Sequence, residues 1–235
     1  MSDAPEGVDA GATLRGILLD VDGTLIDSND AHASAWADTF REFGLDIAFD
    51  RVRPLIGMGG DKLLPKLTGL DHESVEAKRM TARRKEIFNT TYLPTLRAFP
   101  CAHELLARFK ADDLRLVIAT SAEREELNKL LDQAGLEELV DRKTSSSDAD
   151  RSKPDPDIIQ AALDRGSFAA GEVLMLGDTP YDVEAARRAN IPTVALRCGG
   201  WDDRALGGAL AIYDDARDLL ARYEASPFGI SAARR

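Results

Sequence analysis

Short apolar runs that stop at an acid, a hydroxyl or a turn recur along this chain, and they limit its fold more than any other feature. The first is Arg15-Gly16-Ile17-Leu18-Leu19-Asp20-Val21-Asp22. Leu114 to Ala119, Val173 to Leu176 and Thr193 to Leu196 follow, with weaker signals at Leu210 to Tyr213 and Arg142 to Ser145. Runs this short and this apolar are typical of parallel strands covered on both faces. Helical periods lie between them. Cys101 to Lys110 sets Cys101, Leu105, Leu106 and Phe109 on one stripe, and Glu123 to Ala134 does the same with Leu127, Leu130, Leu131 and Ala134. Asp157 to Arg165 and Asp182 to Ala189 repeat the pattern. The alternation predicts an α/β fold: a Rossmann-like parallel sheet core with helices on both faces.

One segment breaks the rhythm. From about Ala31 to Leu93 there is no strand signal, only helix candidates at Ala31 to Phe43, Asp61 to Leu67 (interrupted at Pro65) and Asp71 to Tyr92. Asp71 is placed as the N-cap of the last, with Ser74 nearby. This reads as a small all-helical cap domain over residues 29–94, hinged at Ser28 and Asn29 and at Pro94 and Thr95. The core then comprises residues 13–28 and 95–225, with a disordered leader over 1–12 and a loose tail over 226–235.

Composition narrows the partners. The formal net charge of the 235 residues is -11, and no basic domain of the kind that holds nucleic acid is present. The densest basic stretch, Lys78 to Lys85 with Arg79, Arg83 and Arg84, reads either as a solvated helix face or as a rim that draws in phosphorylated substrates. Cys101 and Cys198 are too few for a disulfide framework. No apolar run reaches the roughly 18 residues of a membrane span, and the N-terminus lacks a signal-peptide core. The expectation is a cytoplasmic protein, monomer or homodimer, that meets neither nucleic acid nor membrane.

The strand ends carry the chemistry. In Asp20-Val21-Asp22-Gly23-Thr24 two acids two residues apart leave a strand on the same side. Carboxylates this close repel unless a cation joins them, and Mg²⁺ suits hard oxygen ligands. Taken alone, the pattern equally describes a strand and an Asp-Gly turn. Val117 to Ser121 ends in two hydroxyls before a helix start, where Thr120 and Ser121 could hold a phosphate oxygen or simply cap the helix. Lys153-Pro154-Asp155-Pro156-Asp157 presents Lys153 from a loop stiffened by two prolines. Leu174 to Asp182 ends a strand in Gly177-Asp178, with Asp182 one helical turn on, able to bond Lys153 or a metal-bound water.

Together, and in this order, these four pieces resemble the haloacid dehalogenase-like hydrolase superfamily over about Thr13 to Tyr223. The resemblance implies that Asp20 is the nucleophile and that Asp22 is general acid and base, kept protonated by its acidic neighbour. Asp20, the Asp22 main-chain carbonyl and Asp178 would ligate Mg²⁺, and Thr120, Ser121 and Lys153 would bind the phosphoryl group. Gly23 and Asp182 would support the site. The longer gap before Thr120 places the cap as in the subgroup with a four-helix cap, which contains phosphoglycolate phosphatase-like enzymes, β-phosphoglucomutase, phosphonoacetaldehyde hydrolase and the haloacid dehalogenases. The implied activity is a Mg²⁺-dependent phosphatase that hydrolyses a small phosphorylated metabolite through an aspartyl-phosphate.

The relatives differ at readable positions. An acid at Asp22 speaks against the metal-free dehalogenase and against Schiff-base chemistry. A phosphomutase of the β-phosphoglucomutase type is the alternative; Gly60 stands where that enzyme's cap arginine aligns, and Lys62 is the residue that could substitute. A phosphometabolite-binding protein without turnover is a further alternative. The cap loop Ile56 to Lys62, with Gly57, Gly59 and Gly60, reads as a substrate-facing loop or a plain helix–helix turn. His32, His72 and His103 are read as uninvolved, and Trp201 either covers the site or packs in the core.

Overall fold

The computed structural model describes residues 13–232, so the leader expected over 1–12 and the last three residues lie outside it. Six strands form one parallel sheet: β1 (Gly16–Leu19), β2 (Arg115–Ala119), β3 (Arg142–Thr144), β4 (Val173–Gly177), β5 (Thr193–Leu196) and β6 (Ala211–Tyr213), in the order β3-β2-β1-β4-β5-β6. Both weakly signalled strands are present, as the two edges. Edge strands are half-covered, so their sequences need less apolar continuity than β1 or β4.

Among the described residues, ten α-helices accompany the sheet. Those following β1 are α1 (Asn29–Glu42), α2 (Phe49–Val52), α3 (Gly60–Thr68), α4 (Val75–Ile87) and α5 (Ala102–Ala111). The rest are α6 (Arg124–Ala134), α7 (Asp157–Gly166), α8 (Pro180–Arg188), α9 (Ala216–Ala221) and α10 (Pro227–Ala232). Successive strand residues supply two separate cores. Ile17, Leu19, Leu116, Ile118, Leu174 and Leu176 pack with side chains of α5, α6, α9 and α10. Leu18, Val117, Ala119, Val173 and Met175 pack with α7 and α8 on the other face. The period of two along each strand makes this division. A third cluster, built on Trp36, Phe40, Leu63, Leu64 and Met80, holds α1, α3 and α4 together.

The register positions the chemistry. Leu19 pairs with Ile118 on one side and Leu176 on the other. The chain therefore leaves β1, β2 and β4 at one edge, where the strand order reverses direction about β1, the place where open α/β sheets bind ligands.

Four local expectations are corrected. α3 runs unbroken through Pro65; the ring removes one backbone donor, but the buried Leu63 and Leu64 anchor the turn and Gly69 closes it on the Pro65 carbonyl. The cap of α4 is Ser74, whose side chain accepts from the Ala77 N–H, because the Asp71 carboxylate is used by the Glu73 N–H. That helix also stops at Ile87 and widens into a π-turn over Phe88–Tyr92. The tail is not loose over its described part: Phe228 is fully buried, 4.8 Å between ring centroids from Phe109, and Ser226 caps α10 through the Gly229 N–H. A single aromatic among small residues gives no periodic signal, so this anchor was not legible.

Candidate active site

Asp20, one residue beyond β1, is 7% exposed. Its Oδ1 accepts from Lys153 Nζ at 2.6 Å. The same ammonium lies 2.7 Å from Asp182 Oδ1. Lys153 has no exposed surface, and a buried cation is tolerable only when paired. Burial works against its charge, but Asp182 and Asp20 outweigh that and hold the ammonium protonated. Asp182 is fixed in turn at the start of α8, where its Oδ2 accepts from the Thr179 N–H at 3.0 Å and the Thr179 hydroxyl at 2.6 Å. This reciprocal capping arrangement explains why the second acid follows the first by four residues.

Asp178, beyond β4, is fully buried. Its Oδ1 accepts from Thr24 Oγ1 at 2.8 Å and its Oδ2 from Asn29 Nδ2 at 2.9 Å. Thr24 also lies 3.3 Å from Asp20 Oδ2, so one hydroxyl spans the two strand ends. The backbone comes very near: a Cβ on Gly199 would stand 1.7 Å from Asp178 Oδ2, and one on Gly23 would stand 2.0 Å from Asn29 Nδ2 with φ at +81°. Neither position admits a side chain.

Carboxylate oxygens of Asp20, Asp178 and Asp182 all lie within 4.8 Å of one another. Burial, moderated by Lys153, pushes Asp20 up to about 7. Burial and the charges of Asp20 and Asp182 push Asp178 well above the usual carboxylate range. A cluster of hard oxygen donors whose ionised forms repel in a buried site is one that a divalent cation relieves. These residues fit Mg²⁺, with Asp20 and Asp178 as the donors that would hold it and Asp182 held by Lys153 and Thr179.

Asp22 departs from expectation. Its side chain turns away from this cluster: Oδ1 accepts from Ser28 Oγ at 2.5 Å and from His32 Nε2 at 2.7 Å. Burial pushes its carboxyl up, but His32 and Ser28 outweigh burial and hold it below the usual range. The acidic neighbour therefore does not keep it protonated here. His32 was read as uninvolved; it is 5% exposed and stacked on Phe88 with ring centroids 4.2 Å apart. Its Nδ1 meets the Arg84 guanidinium. A guanidinium only donates, so Nδ1 accepts and Nε2 carries the proton given to Asp22. Arg84 is paired through Nη1 with Glu126 at 2.6 Å. Ser28, Asn29, His32, Arg84 and Glu126 were all missed as site residues. The sequence traces were the hinge position of the first two, the place of His32 just after that hinge, and the run of positive charge containing Arg84.

Asp20, Asp22, Thr120, Ser121 and the cap loop Ile56 to Gly60 line one cleft of about 660 Å³. Thr120 is buried, and its Oγ1 accepts from the Ala122 N–H at 3.1 Å, a local turn ahead of α6, whose N-cap is Glu123. Ser121 Oγ is buried without a hydrogen-bond partner among the described residues. Gly59 donates its N–H to Ser152 Oγ at 3.1 Å. Lys62 is not brought to the cleft: its ammonium binds the Ser152 carbonyl at 2.5 Å and Asp155 at 2.5 Å, joining the cap to the loop that carries Lys153. His72 reaches the rim, while His103 bonds the Gly135 carbonyl away from it. Trp201 packs edge-on to Tyr181, whose hydroxyl donates to the Pro54 carbonyl of the cap at 2.7 Å. Cys101 and Cys198 are free thiols. No helix among the described residues is long and apolar enough to cross a membrane.

Comparison with known proteins places this arrangement. A family model described as haloacid dehalogenase-like hydrolase matches residues 17–196. The chain is 29% identical over 214 residues to a phosphoglycolate phosphatase of Rhodospirillum rubrum, covering 87% of this chain and 89% of that protein. It is 26% identical over 184 residues to the pyrophosphatase PpaX of Oceanobacillus iheyensis, covering 78% of this chain and 84% of that one. The solved structure of a hydrolase from Pseudomonas syringae aligns with a TM-score of 0.83 at 30% identity, covering 90% of this chain and 98% of that chain.

Proposed function

This chain belongs to the haloacid dehalogenase-like hydrolase family, and on that premise we propose that it is a magnesium-dependent phosphatase acting on a small phosphorylated metabolite through an aspartyl-phosphate on Asp20. The observation that carries this reading is the convergence of Asp20, Lys153 and Asp178 at one sheet edge, with Lys153 Nζ 2.6 Å from Asp20 Oδ1. Relatives that bear phosphatase names support it.

In this reading an oxygen of Asp20 attacks phosphorus, the bond from phosphorus to the leaving oxygen breaks, and Asp22, which first takes up a proton from solvent because His32 and Ser28 hold it ionised at rest, passes that proton to the leaving oxygen. Water then attacks the acyl phosphate, Asp22 takes its proton, and inorganic phosphate departs with Asp20 restored. The carboxylate form of Asp22 held by His32 and Ser28 is the form the second half requires. Lys153 offsets negative charge on the transferring oxygens, and Thr120 and Ser121 line the same end of the cleft. Magnesium held by Asp20 and Asp178 would polarise a phosphoryl oxygen and lower the repulsion between two anions. Cap residues bond directly to the core: Arg53 donates to the Gly199 carbonyl at 2.6 Å, Lys62 to Asp155 and Arg84 to Glu126. The mutase alternative fits the same fold and core, but Gly60 offers no charge for a second phosphate and Lys62 is tied to Asp155.

The experiment is phosphate release from a panel of phosphate esters with Mg²⁺, with EDTA, and with Asp20→Asn. Release should need the metal and fall by about 10⁴-fold or more in the variant, as for loss of a nucleophile. Turnover unaffected by EDTA, or retained by Asp20→Asn, would overturn the reading.

A further inference from the structure

Lys153 serves Asp20 and Asp182, which leaves Asp178 to neutral donors: Thr24 on Oδ1 and Asn29 on Oδ2. Asn29 is the first residue of α1 and is 2% exposed. Its Nδ2 donates to Asp178 Oδ2 at 2.9 Å and to the Gly199 carbonyl at 3.3 Å. Both partners only accept, so the amide cannot be turned over without setting Oδ1 against two acceptors. Oδ1 itself is buried without a hydrogen-bond partner among the described residues. A buried amide with one side unmet costs stability, so its place needs a reason other than the fold. Its hold on Asp178 supplies one.

That hold reaches the cap through a single carbonyl. An amide oxygen has two lone pairs, and Gly199 O accepts from Asn29 and, at 2.6 Å, from Arg53 Nη2. Arg53 lies in the cap just after α2, and its Nε donates to Asp30 Oδ1 at 2.6 Å. Asp30 is the residue after Asn29. The contacts therefore close a ring: Asp178, Asn29, the Gly199 carbonyl, Arg53 and Asp30, which returns along the chain to Asn29. The loop after β5 fits into this ring only because it lacks side chains there. A Cβ on Gly199 would stand 1.7 Å from Asp178 Oδ2, and one on Gly200, at φ +91°, would stand 2.9 Å from Arg53 Nη2.

We infer that Asn29 and Arg53 are positioning residues of the metal site. Together they fix the orientation of the Asp178 carboxylate, so the affinity for Mg²⁺ depends on a cap guanidinium whose own bonds go to Asp30 and Gly199. Groups that orient a ligand change metal affinity when they are removed, although they do not touch the ion. Coupling between two sites is reciprocal, so magnesium in turn holds Arg53 on the Gly199 carbonyl and the cap on the core at that point. This inference rests on the reading of Asp20 and Asp178 as magnesium ligands and deepens it.

The test measures Mg²⁺ binding to the full chain with no phosphate ester present, by isothermal calorimetry and by the rise of melting temperature with Mg²⁺ concentration. Asn29→Ala should weaken binding by about 10- to 100-fold and Arg53→Ala by about tenfold. Adding Arg53→Ala to Asn29→Ala should cost less than about twofold more, because both act through one chain of bonds. Arg53→Lys, which keeps a donor for the carbonyl, should recover part of the loss. Lys85→Ala removes a different tie between cap and core, that to Glu123 and Glu125, and should leave the affinity within about twofold. The melting transition also reports whether each variant folds; Arg53 is partly exposed, so its variant decides the matter should Asn29→Ala fail to fold. Equal binding by the wild type and Arg53→Ala overturns the inference and leaves the metal assignment standing, as does a double variant whose losses add. A loss in Lys85→Ala as large as that in Arg53→Ala also overturns it, since affinity would then follow any loosening of the cap. No magnesium binding by the wild type overturns the metal assignment itself.

Discussion

The imidazole of His32 and the carboxylate of Asp22 are joined by a bond of 2.7 Å between Nε2 and Oδ1, and the other ring nitrogen is closed by Arg84. His32 belongs to α1 and Arg84 to α4, whereas Asp22 follows β1, so helices inserted after the first strand hold the Asp22 carboxylate in place.

If His32 positions Asp22 for proton transfer, its loss will matter in proportion to the leaving group's need for a proton. His32→Ala should lower kcat by about 10- to 100-fold on an alkyl phosphate, within the range for impaired general acid catalysis. With p-nitrophenyl phosphate, whose leaving group departs unprotonated, the loss should be about threefold or less. His32→Asn, which keeps a donor, should recover part of the alkyl-phosphate rate. Equal losses on both substrates would mean that His32 only supports the fold.

The repulsion among Asp20, Asp178 and Asp182 should be visible without any assay of turnover. Magnesium at about 100 times its dissociation constant should raise the melting temperature by roughly 5–10 °C, from about 2.7 kcal/mol of linkage in a chain of this size. Asp178→Asn removes a donor and one source of repulsion, so the variant should lose that rise. Scanning fluorimetry with and without the ion is the measurement; a wild-type melting point indifferent to magnesium would refute the metal assignment.

A surface-edge carboxylate offers a pH test away from the site. Burial pushes Asp141 up, but the Leu116 N–H at 2.9 Å and Lys110 at 2.6 Å outweigh it and lower its pKa below the ordinary 3.8. A depressed carboxyl stabilises the fold above its unfolded value and ceases to do so as pH falls through its folded value. The urea midpoint of Asp141→Asn should therefore lie below that of the wild type at pH 6, and the gap should narrow towards pH 3. A gap that stays constant over this range would show that the hydrogen bonds do not depend on the charge.

Much of the frame of the candidate site was legible before any coordinates. Asp20, Thr120 and Asp178 follow apolar runs, and the ends of runs are local properties, set by where side-chain pattern gives way to turn residues. Lys153 was legible through the prolines around it and the acid at Asp182. The insert after β1 was legible because a stretch of helical periods interrupted the alternation of strand and helix.

The charge pairing was not legible, because it is decided between residues far apart in the chain. Arg84 and Glu126 are 42 positions apart, and Lys62 and Asp155 are 93 apart. Nothing in either sequence neighbourhood announces the partner, and only the packing of cap against core brings them within bonding distance. That packing turned Lys62 from a candidate substrate ligand into a tie between cap and core, and paired Arg84 and Lys85 of the basic run with carboxylates of the core. It also drew His32 onto Asp22. Periodicity and chain punctuation determined which strand ends carry the acids and hydroxyls of the candidate site. The tertiary structure decided which charges remain free to meet a substrate, since Coulomb attraction depends on distance in space and on burial, neither of which the order of residues records.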